Sequence, residues 1–244
     1  MSKQRLDLLL VEQGLAESRE KAQRLIRSGR VRIKNDVVSK PGHTYATDAP
    51  ISVDDPPRYV SHGGEKLEHA IAYFGISVDG RVAMDVGSST GGFTDCMLQH
   101  GAVRVYAIDV GKGQLHWKLR NDERVISMEE FNARNLRPED LPEAPTLGTV
   151  DVSFISLTRI LTPVRDVLAP GSDLVTLIKP QFEAGPKHVR RGGVVRDEAV
   201  RAEVVERIRA FGSEAAGLSW RGVCESPVKG PAGNVEFLAW WNRT

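Results

Sequence analysis

The stretch "MDVGSSTGGFTD", Met84 to Asp95, sits between a hydrophobic run ending at Asp85 and helix-like sequence. A strand–turn–helix junction of this kind cradles a nucleotide-like ligand, because the turn brings backbone groups and a helix N-terminus to one spot. A dinucleotide fingerprint would read Gly-x-Gly-x-x-Gly. Here the run is Gly87-Ser88-Ser89-Thr90-Gly91-Gly92, with Ser89 where the second glycine must admit a pyrophosphate. A phosphate loop would end in Gly-Lys-Ser/Thr, and no such lysine occurs. The pattern therefore points to an uncharged or zwitterionic nucleoside. Asp109, 24 residues beyond Asp85 at the end of the next predicted strand, offers a carboxylate that can accept hydrogen bonds from both ribose hydroxyls. S-adenosylmethionine meets these conditions. Its amino-acid end would lie over Asp85, Gly87, Ser88, Ser89, Gly91, Gly92 and Phe93, its ribose at Asp109 and Val110, and its adenine beside Asn132 and Ala133. Taken alone, the loop also reads as a tight structural turn.

Four further residues stand where a parallel sheet gathers its chemistry. Lys66 starts a predicted helix, Asp151 ends a strand in "TVDVSFIS", Lys179 ends another in "LIKPQFE", and Glu236 begins the last strand in "GNVEFLAW". Each has a plain reading as a surface, capping or strand-end charge. Together they place two ammonium groups and two carboxylates at one edge of a sheet, a set that can orient and deprotonate a hydroxyl. A lysine serves as the base only when its pKa falls well below the ordinary ~10.4.

The elements that must position these residues alternate regularly. Leu67, Ala70, Ile71 and Phe74 form a helical stripe. Strands are expected at Arg81–Val86, Val103–Asp109, Arg124–Ser127, Thr146–Val152 and Leu174–Lys179, with helical sequence between most of them. This is a βαβ pattern, and it predicts an α/β fold with a mostly parallel, Rossmann-like sheet whose ligands bind at the strand C-terminal ends. The last two strands, joined by "VKGPAGN" without a crossover helix, must form an antiparallel hairpin. That layout is the one found in Rossmann-like methyltransferases.

The Pro- and Gly-rich "VDDPPRYVSHGG" marks a boundary, giving a small α+β domain over residues 1–58 and the larger domain over 59–244. In the small domain, Ser18 is a candidate N-cap, Arg19, Gln23 and Arg27 share a helical face, and Gly29 ends the helix. In "RVRIK", Arg30, Arg32 and Lys34 alternate with Val31 and Ile33. Between Ser18 and Lys40, eight Lys/Arg face two Asp/Glu, so this domain reads as a binder of nucleic-acid backbone. Candidate contacts are Arg5, Arg19, Arg24, Arg27, Arg30, Arg32 and Lys34. A later cluster, Lys187, Arg190, Arg191 and Arg196, would grip RNA near the site. Phe154, just past Asp151, is a candidate for stacking on a base turned out of its helix, although a phenylalanine more commonly serves the core.

The segment "RLDLLLVEQGLAESREKAQRLIRSGRVRIKNDVVSKPG" resembles the RNA-binding domain named after ribosomal protein S-four, which implies recognition of folded RNA. The later domain resembles the FtsJ-like ribose 2′-O-methyltransferases, whose Lys-Asp-Lys-Glu tetrad falls in order on Lys66, Asp151, Lys179 and Glu236. With both domains, the chain resembles the TlyA (haemolysin A) family through "SHGGEKL", "DVGSSTGGFTD", "DVSFISL", "IKPQFE" and "GPAGNVEF". This resemblance implies S-adenosylmethionine-dependent methylation of cytidine ribose 2′-hydroxyls in ribosomal RNA of one or both subunits. Lys179 would orient or deprotonate the hydroxyl, Lys66 would add positive charge, and Asp151 and Glu236 would hold the two ammonium groups.

Composition narrows the alternatives. A net charge of +1 and 41% hydrophobic residues describe an ordinary chain that buries a core. Cys96 and Cys224 make neither a disulfide framework nor a zinc site, so a reducing cytoplasm and no metal are expected. No run of ~18 apolar residues occurs, which argues against a membrane-lytic haemolysin. A non-catalytic RNA- or ribosome-binding protein that retains S-adenosylmethionine binding is the remaining rival. It would be expected to show a damaged loop or tetrad, and neither is seen. The sequence leaves the oligomeric state open, with a monomer favoured.

Overall fold

The computed structural model describes residues 2–189 and 192–244, which fold as two compact units divided between Arg58 and Tyr59.

The smaller unit contains β1 (Lys3–Arg5), α1 (Leu6–Glu12), α2 (Arg19–Arg27), β2 (Val31–Ile33), β3 (Asp36–Val37), β4 (Thr44–Ala46) and β5 (Ile51–Val53). Ser18 caps α2 by accepting the Lys21 N–H, and Gly29 takes a left-handed turn after it. β2 is central to a three-stranded antiparallel sheet ordered β3-β2-β5, while β1 pairs with β4. Leu6, Leu10, Ala22, Ile26 and Val31 close the core between helices and sheet. β1 and its pairing with β4 have no counterpart in the sequence reading, because a three-residue strand carries too little alternation to see.

The larger unit follows the alternation: α3 (Gly63–Phe74), β6 (Val82–Val86), α4 (Gly92–Gln99), β7 (Arg104–Ile108), α5 (Trp117–Arg120), β8 (Val125–Met128), β9 (Leu147–Val150), α6 (Leu161–Val167), β10 (Asp173–Ile178), α7 (Pro180–Glu183), α8 (Glu198–Glu214), β11 (Leu218–Glu225) and β12 (Phe237–Arg243). The seven strands lie in the order β11-β12-β10-β9-β6-β7-β8. β12 alone runs against the rest, slotted between β10 and β11. The chain order reverses between β6 and β9, which leaves a crevice at their C-terminal ends.

Alternation along each strand divides the core into two layers. Met84, Val86, Tyr106, Ile108, Leu174 and Trp241 face one side, against Leu161 and Val164 of α6 and Val204 and Ile208 of α8. Ala83, Val105, Ala107, Val175 and Leu238 face the other, against Leu67, Ala70 and Ile71 of α3 and Cys96 and Met97 of α4. Burial on both faces explains why these strands read as nearly continuous hydrophobic runs. Among the described residues, no helix is long and apolar enough to cross a membrane.

Candidate active site

Two cavities of about 480 and 450 Å³ open at the strand C-terminal ends of the larger unit. Both are walled by Gly87, Ser89, Asp151 and Ser153, so they meet at the β6 and β9 termini. The first cavity adds Lys66, Lys179, Ser61 and His62, and the second adds Asp109, Asn132, Phe131, Phe154 and Ile155.

The tetrad residues form two ion pairs. Lys179 Nζ stands 2.5 Å from Asp151 Oδ1 and donates to Ser153 Oγ at 3.1 Å. The first contact is an ion pair rather than an aligned hydrogen bond. Pro180 opens α7 and ends β10, so Lys179 is held at a fixed exit from the sheet. Asp151 follows β9, its N–H bonded to the Val86 carbonyl. Lys66, in the first turn of α3, donates to Glu236 Oε2 at 2.6 Å, and both side chains are buried, at 10% and 1% exposure. Gln181 Nε2 donates to the other oxygen of Glu236 at 3.0 Å. Lys66 thus faces the first cavity while Glu236 lies beneath it, packed so closely that a Cβ on Gly230 would come within 2.5 Å of its Oε1.

The glycine loop is shaped by the protein's own atoms. Gly87 has φ +82°, and a Cβ there would lie 2.3 Å from the Asp151 carbonyl oxygen. A Cβ on Gly92 would fall 2.2 Å from Ser61 Oγ and 2.9 Å from the Gly64 nitrogen. Both glycines line the first cavity, and they also leave room for the neighbouring β9 end and the start of α3. Ser89 occupies a left-handed conformation, φ 48°, with its N–H donated to Asp109 Oδ2 at 2.7 Å.

Asp85 turns inward. It is fully buried and accepts hydrogen bonds from Thr94 N, Thr94 Oγ1 and Thr149 Oγ1, tying β6 to α4 and β9. Burial pushes its carboxyl up to about 7; the threonine bonds oppose this and the nearby Asp151 charge adds to it. Phe93 is likewise buried in the apolar layer against α3, and Ser88 is nearly so.

The second cavity suits an adenosine. Asp109 accepts from Ser89 N–H and Gly111 N–H, both at 2.7 Å, and a carboxylate has about four acceptor positions, so two remain for ribose hydroxyls. Asn132 Oδ1 accepts from Arg134, while its Nδ2 makes no hydrogen bond within the described residues and is free to donate to a ligand. Phe131, Ala133, Ile155 and Ile160 supply apolar walls, and exposed Val110 forms the rim. The residues present therefore fit the nucleoside part of S-adenosylmethionine.

With this geometry in hand, comparison with known proteins is direct. Residues 59–243 match the FtsJ-like methyltransferase model, and residues 4–49 match the S4 domain. The chain belongs to the FtsJ-like methyltransferase family. YqxC of Bacillus subtilis (strain 168) is 52% identical over 238 residues, covering 97% of this chain and 84% of that one. The 16S/23S rRNA (cytidine-2'-O)-methyltransferase TlyA of Mycobacterium tuberculosis (strain ATCC 25618 / H37Rv) is 44% identical over 240 residues, covering 97% and 88%. A solved structure from Streptococcus thermophilus is 44% identical, covers 100% of this chain and 90% of its own, and superposes with a TM-score of 0.77. Solved S-adenosylmethionine-dependent methyltransferases at 15% identity share the fold. S-adenosylmethionine is the cofactor of this FtsJ-like methyltransferase.

In the S4 unit of this methyltransferase, the basic residues divide into two groups. Arg5 makes a two-pronged contact with Asp7, and Arg19 and Gln23 reach the same buried carboxylate. Arg30 donates to the Asp54 carbonyl, and Arg32 pairs with the Asp54 side chain. These four arginines hold the unit together. Arg24, Arg27 and Lys34 are exposed and have no partner among the described residues, which leaves them open to phosphate. In the methyltransferase unit Lys187 and Arg196 are exposed, while Arg190 and Arg191 lie outside the described residues.

Phe154 is no core residue. It is 90% exposed, holds φ 64°, and stands 4.9 Å from the Phe182 ring. The sequence reading missed Ser153, Gln181 and Glu183, although all three lie within motifs already singled out. Their role shows only once β9, α7 and β12 are brought together.

Proposed function

We propose that this chain transfers the methyl group of S-adenosylmethionine to the ribose 2′-hydroxyl of cytidine in ribosomal RNA of the small subunit, the large subunit or both. The observation that carries the reading is the placement of two lysine–carboxylate pairs beside the first of two adjoining cavities, which is open for a second reactant while the other is fitted to a nucleoside. The printed name of the TlyA relative, a 16S/23S rRNA (cytidine-2'-O)-methyltransferase, supports the substrate class.

Bound S-adenosylmethionine supplies an electrophilic methyl group. Asp109 and Asn132 hold the ribose and adenine. Asp151 pairs with Lys179 and Ser153 accepts a hydrogen bond from it, which together aim its Nζ at the 2′-hydroxyl. Lys179 orients the hydroxyl or takes its proton, and alignment for in-line attack supplies much of the rate. Lys66, anchored by Glu236 and Gln181, keeps a second positive charge beside the hydroxyl and favours its ionised form. Phe154 stacks on the target base. Arg24, Arg27 and Lys34 grip RNA backbone through the S4 unit, and Lys187 and Arg196 of the methyltransferase unit grip it as well.

The test is tritiated-methyl transfer from S-adenosylmethionine to isolated small and large ribosomal subunits from cells lacking this chain, followed by mapping of the modified nucleotide. Incorporation at a cytidine 2′-oxygen supports the proposal. Intact cofactor binding with no incorporation into either subunit would favour a non-catalytic RNA binder. Near-normal turnover by Lys179→Ala would overturn the role given to that lysine.

A further inference from the structure

Glu183 ends α7, four residues past Lys179, with its side chain buried. Its Oε1 accepts the Leu157 N–H at 2.8 Å and its Oε2 accepts the Ser156 hydroxyl at 2.8 Å. Arg207 of α8 approaches Oε2 at 3.6 Å and also donates to the Glu183 backbone carbonyl. Burial pushes this carboxyl above its ordinary value, opposed by the Leu157, Ser156 and Arg207 donors. A carboxylate is costly to bury unless it is paired and hydrogen-bonded. This one joins three segments: the turn after β9, α7 and α8.

The turn it grips carries Ser153, the partner of Lys179, and Phe154. An aromatic residue at φ 64° is strained by about 1–3 kcal/mol, and such a conformation persists only where its surroundings hold it. Glu183 holds the Ser156 hydroxyl and the Leu157 N–H, two and three residues downstream. In the same helix, Phe182 backs the Phe154 ring at a tilt of 49°. An apolar ring 90% exposed and held in strain has no role in the core.

We propose that Glu183 is a positioning residue for the RNA substrate: its carboxylate fixes the Ser153–Leu157 turn so that Phe154, backed by Phe182, stands out as a rigid stacking platform for the target base. This rests on the reading of Phe154 given above. Leu157 and Ser156 supply the donors, and Arg207 anchors the clamp to α8.

The experiment is a double-mutant cycle in the full chain with Glu183→Ala, Phe154→Ala and both together. Methyl transfer to isolated ribosomal subunits gives KM and kcat, calorimetry gives the S-adenosylmethionine Kd, and tryptophan fluorescence follows folding. Phe154→Ala is expected to raise KM for subunits roughly tenfold, the scale of one lost base–aromatic stack. Glu183→Ala is expected to raise it similarly with the cofactor Kd unchanged. The double variant should be no worse than Phe154→Ala, since no platform then remains to be positioned. Effects that multiply in the double variant, or a cofactor Kd that rises as far as KM, would overturn the proposal and leave Glu183 a role in folding alone. An unchanged KM in Phe154→Ala is a different result, which overturns the reading of Phe154 itself. Should Glu183→Ala not fold, Glu183→Gln carries the same cycle with the volume and one acceptor retained.

Discussion

Replacing Lys66 by methionine isolates what the buried pair does. The substitution keeps the length and apolar volume of the stem but removes the ammonium 2.6 Å from Glu236, whose side chain is 1% exposed. Removing one partner of a buried pair leaves the other charge uncompensated and costs about 3–5 kcal/mol. Gln181 still donates one hydrogen bond to Glu236, so the expected loss lies at the low end, about 3 kcal/mol. For a unit of this size that corresponds to a fall in Tm of ~6–12 °C. All four tryptophans, Trp117, Trp220, Trp240 and Trp241, lie in the methyltransferase unit, so intrinsic fluorescence during urea unfolding reports on that unit alone. Lys66→Met combined with Glu236→Gln removes both charges at nearly constant shape and should recover most of the loss, while methyl transfer stays abolished in both variants. A single-variant loss below ~1 kcal/mol, the scale of an exposed ion pair, would refute the reasoning, because Glu236 would then be in contact with water. So would a double variant as unstable as the single one.

Asp85 makes the same unit pH-sensitive. Its folded value of about 7 lies above the ordinary 3.8, so its contribution to stability is complete below about pH 4 and is lost as pH rises through about 7. The stability of the parent chain relative to Asp85→Asn should therefore fall by up to ~1.4 kcal/mol per pH unit across that window, and a flat difference would count against a buried carboxyl. Gly87→Ala forces a Cβ against the Asp151 carbonyl at a left-handed φ; calorimetry should show the S-adenosylmethionine Kd weakened at least about tenfold, and an unchanged Kd would mean the loop yields freely. In the S4 unit, Arg24→Gln and Arg27→Gln should weaken RNA binding and lower its salt slope by roughly one each, without loss of stability. Arg5→Gln and Arg19→Gln should instead lower amide-exchange protection in α1 and α2 by withdrawing partners from buried Asp7; unaltered protection would place these arginines at the RNA instead.

How far the sequence reached can be judged element by element. The strands ending at Val86, Ile108, Val150 and Ile178 were legible because each is a short apolar run bounded by turn residues, a purely local signal. Asp109, Asp151 and Lys179 were legible as residues of the cavity edge for the same reason: in a parallel sheet, whatever follows a strand lies at the binding edge. The hairpin of β11 and β12 followed from their short connection, but its insertion beside β10 did not, since sheet order is set by contacts far apart in the chain. Glycine positions were visible, while their cause was not. Nothing local says that the space beside Gly87 belongs to Asp151.

The basic face of the S4 unit shows the same divide. Helical spacing placed Arg19 and Gln23 on one face, yet only the fold shows that face closing over Asp7, so that charge counted as a binding surface is partly internal structure. By itself the sequence determined most of the secondary elements and the cofactor class and singled out the candidate reacting groups, because these depend on residue type and near-neighbour spacing. The tertiary structure alone decided which lysine meets which acid: Lys66 and Glu236 are 170 residues apart and pair only because α3 and the start of β12 are brought together at one end of the sheet. It also decided that Phe154, at a left-handed φ of 64°, faces solvent at 90% exposure, where residue type pointed to the core.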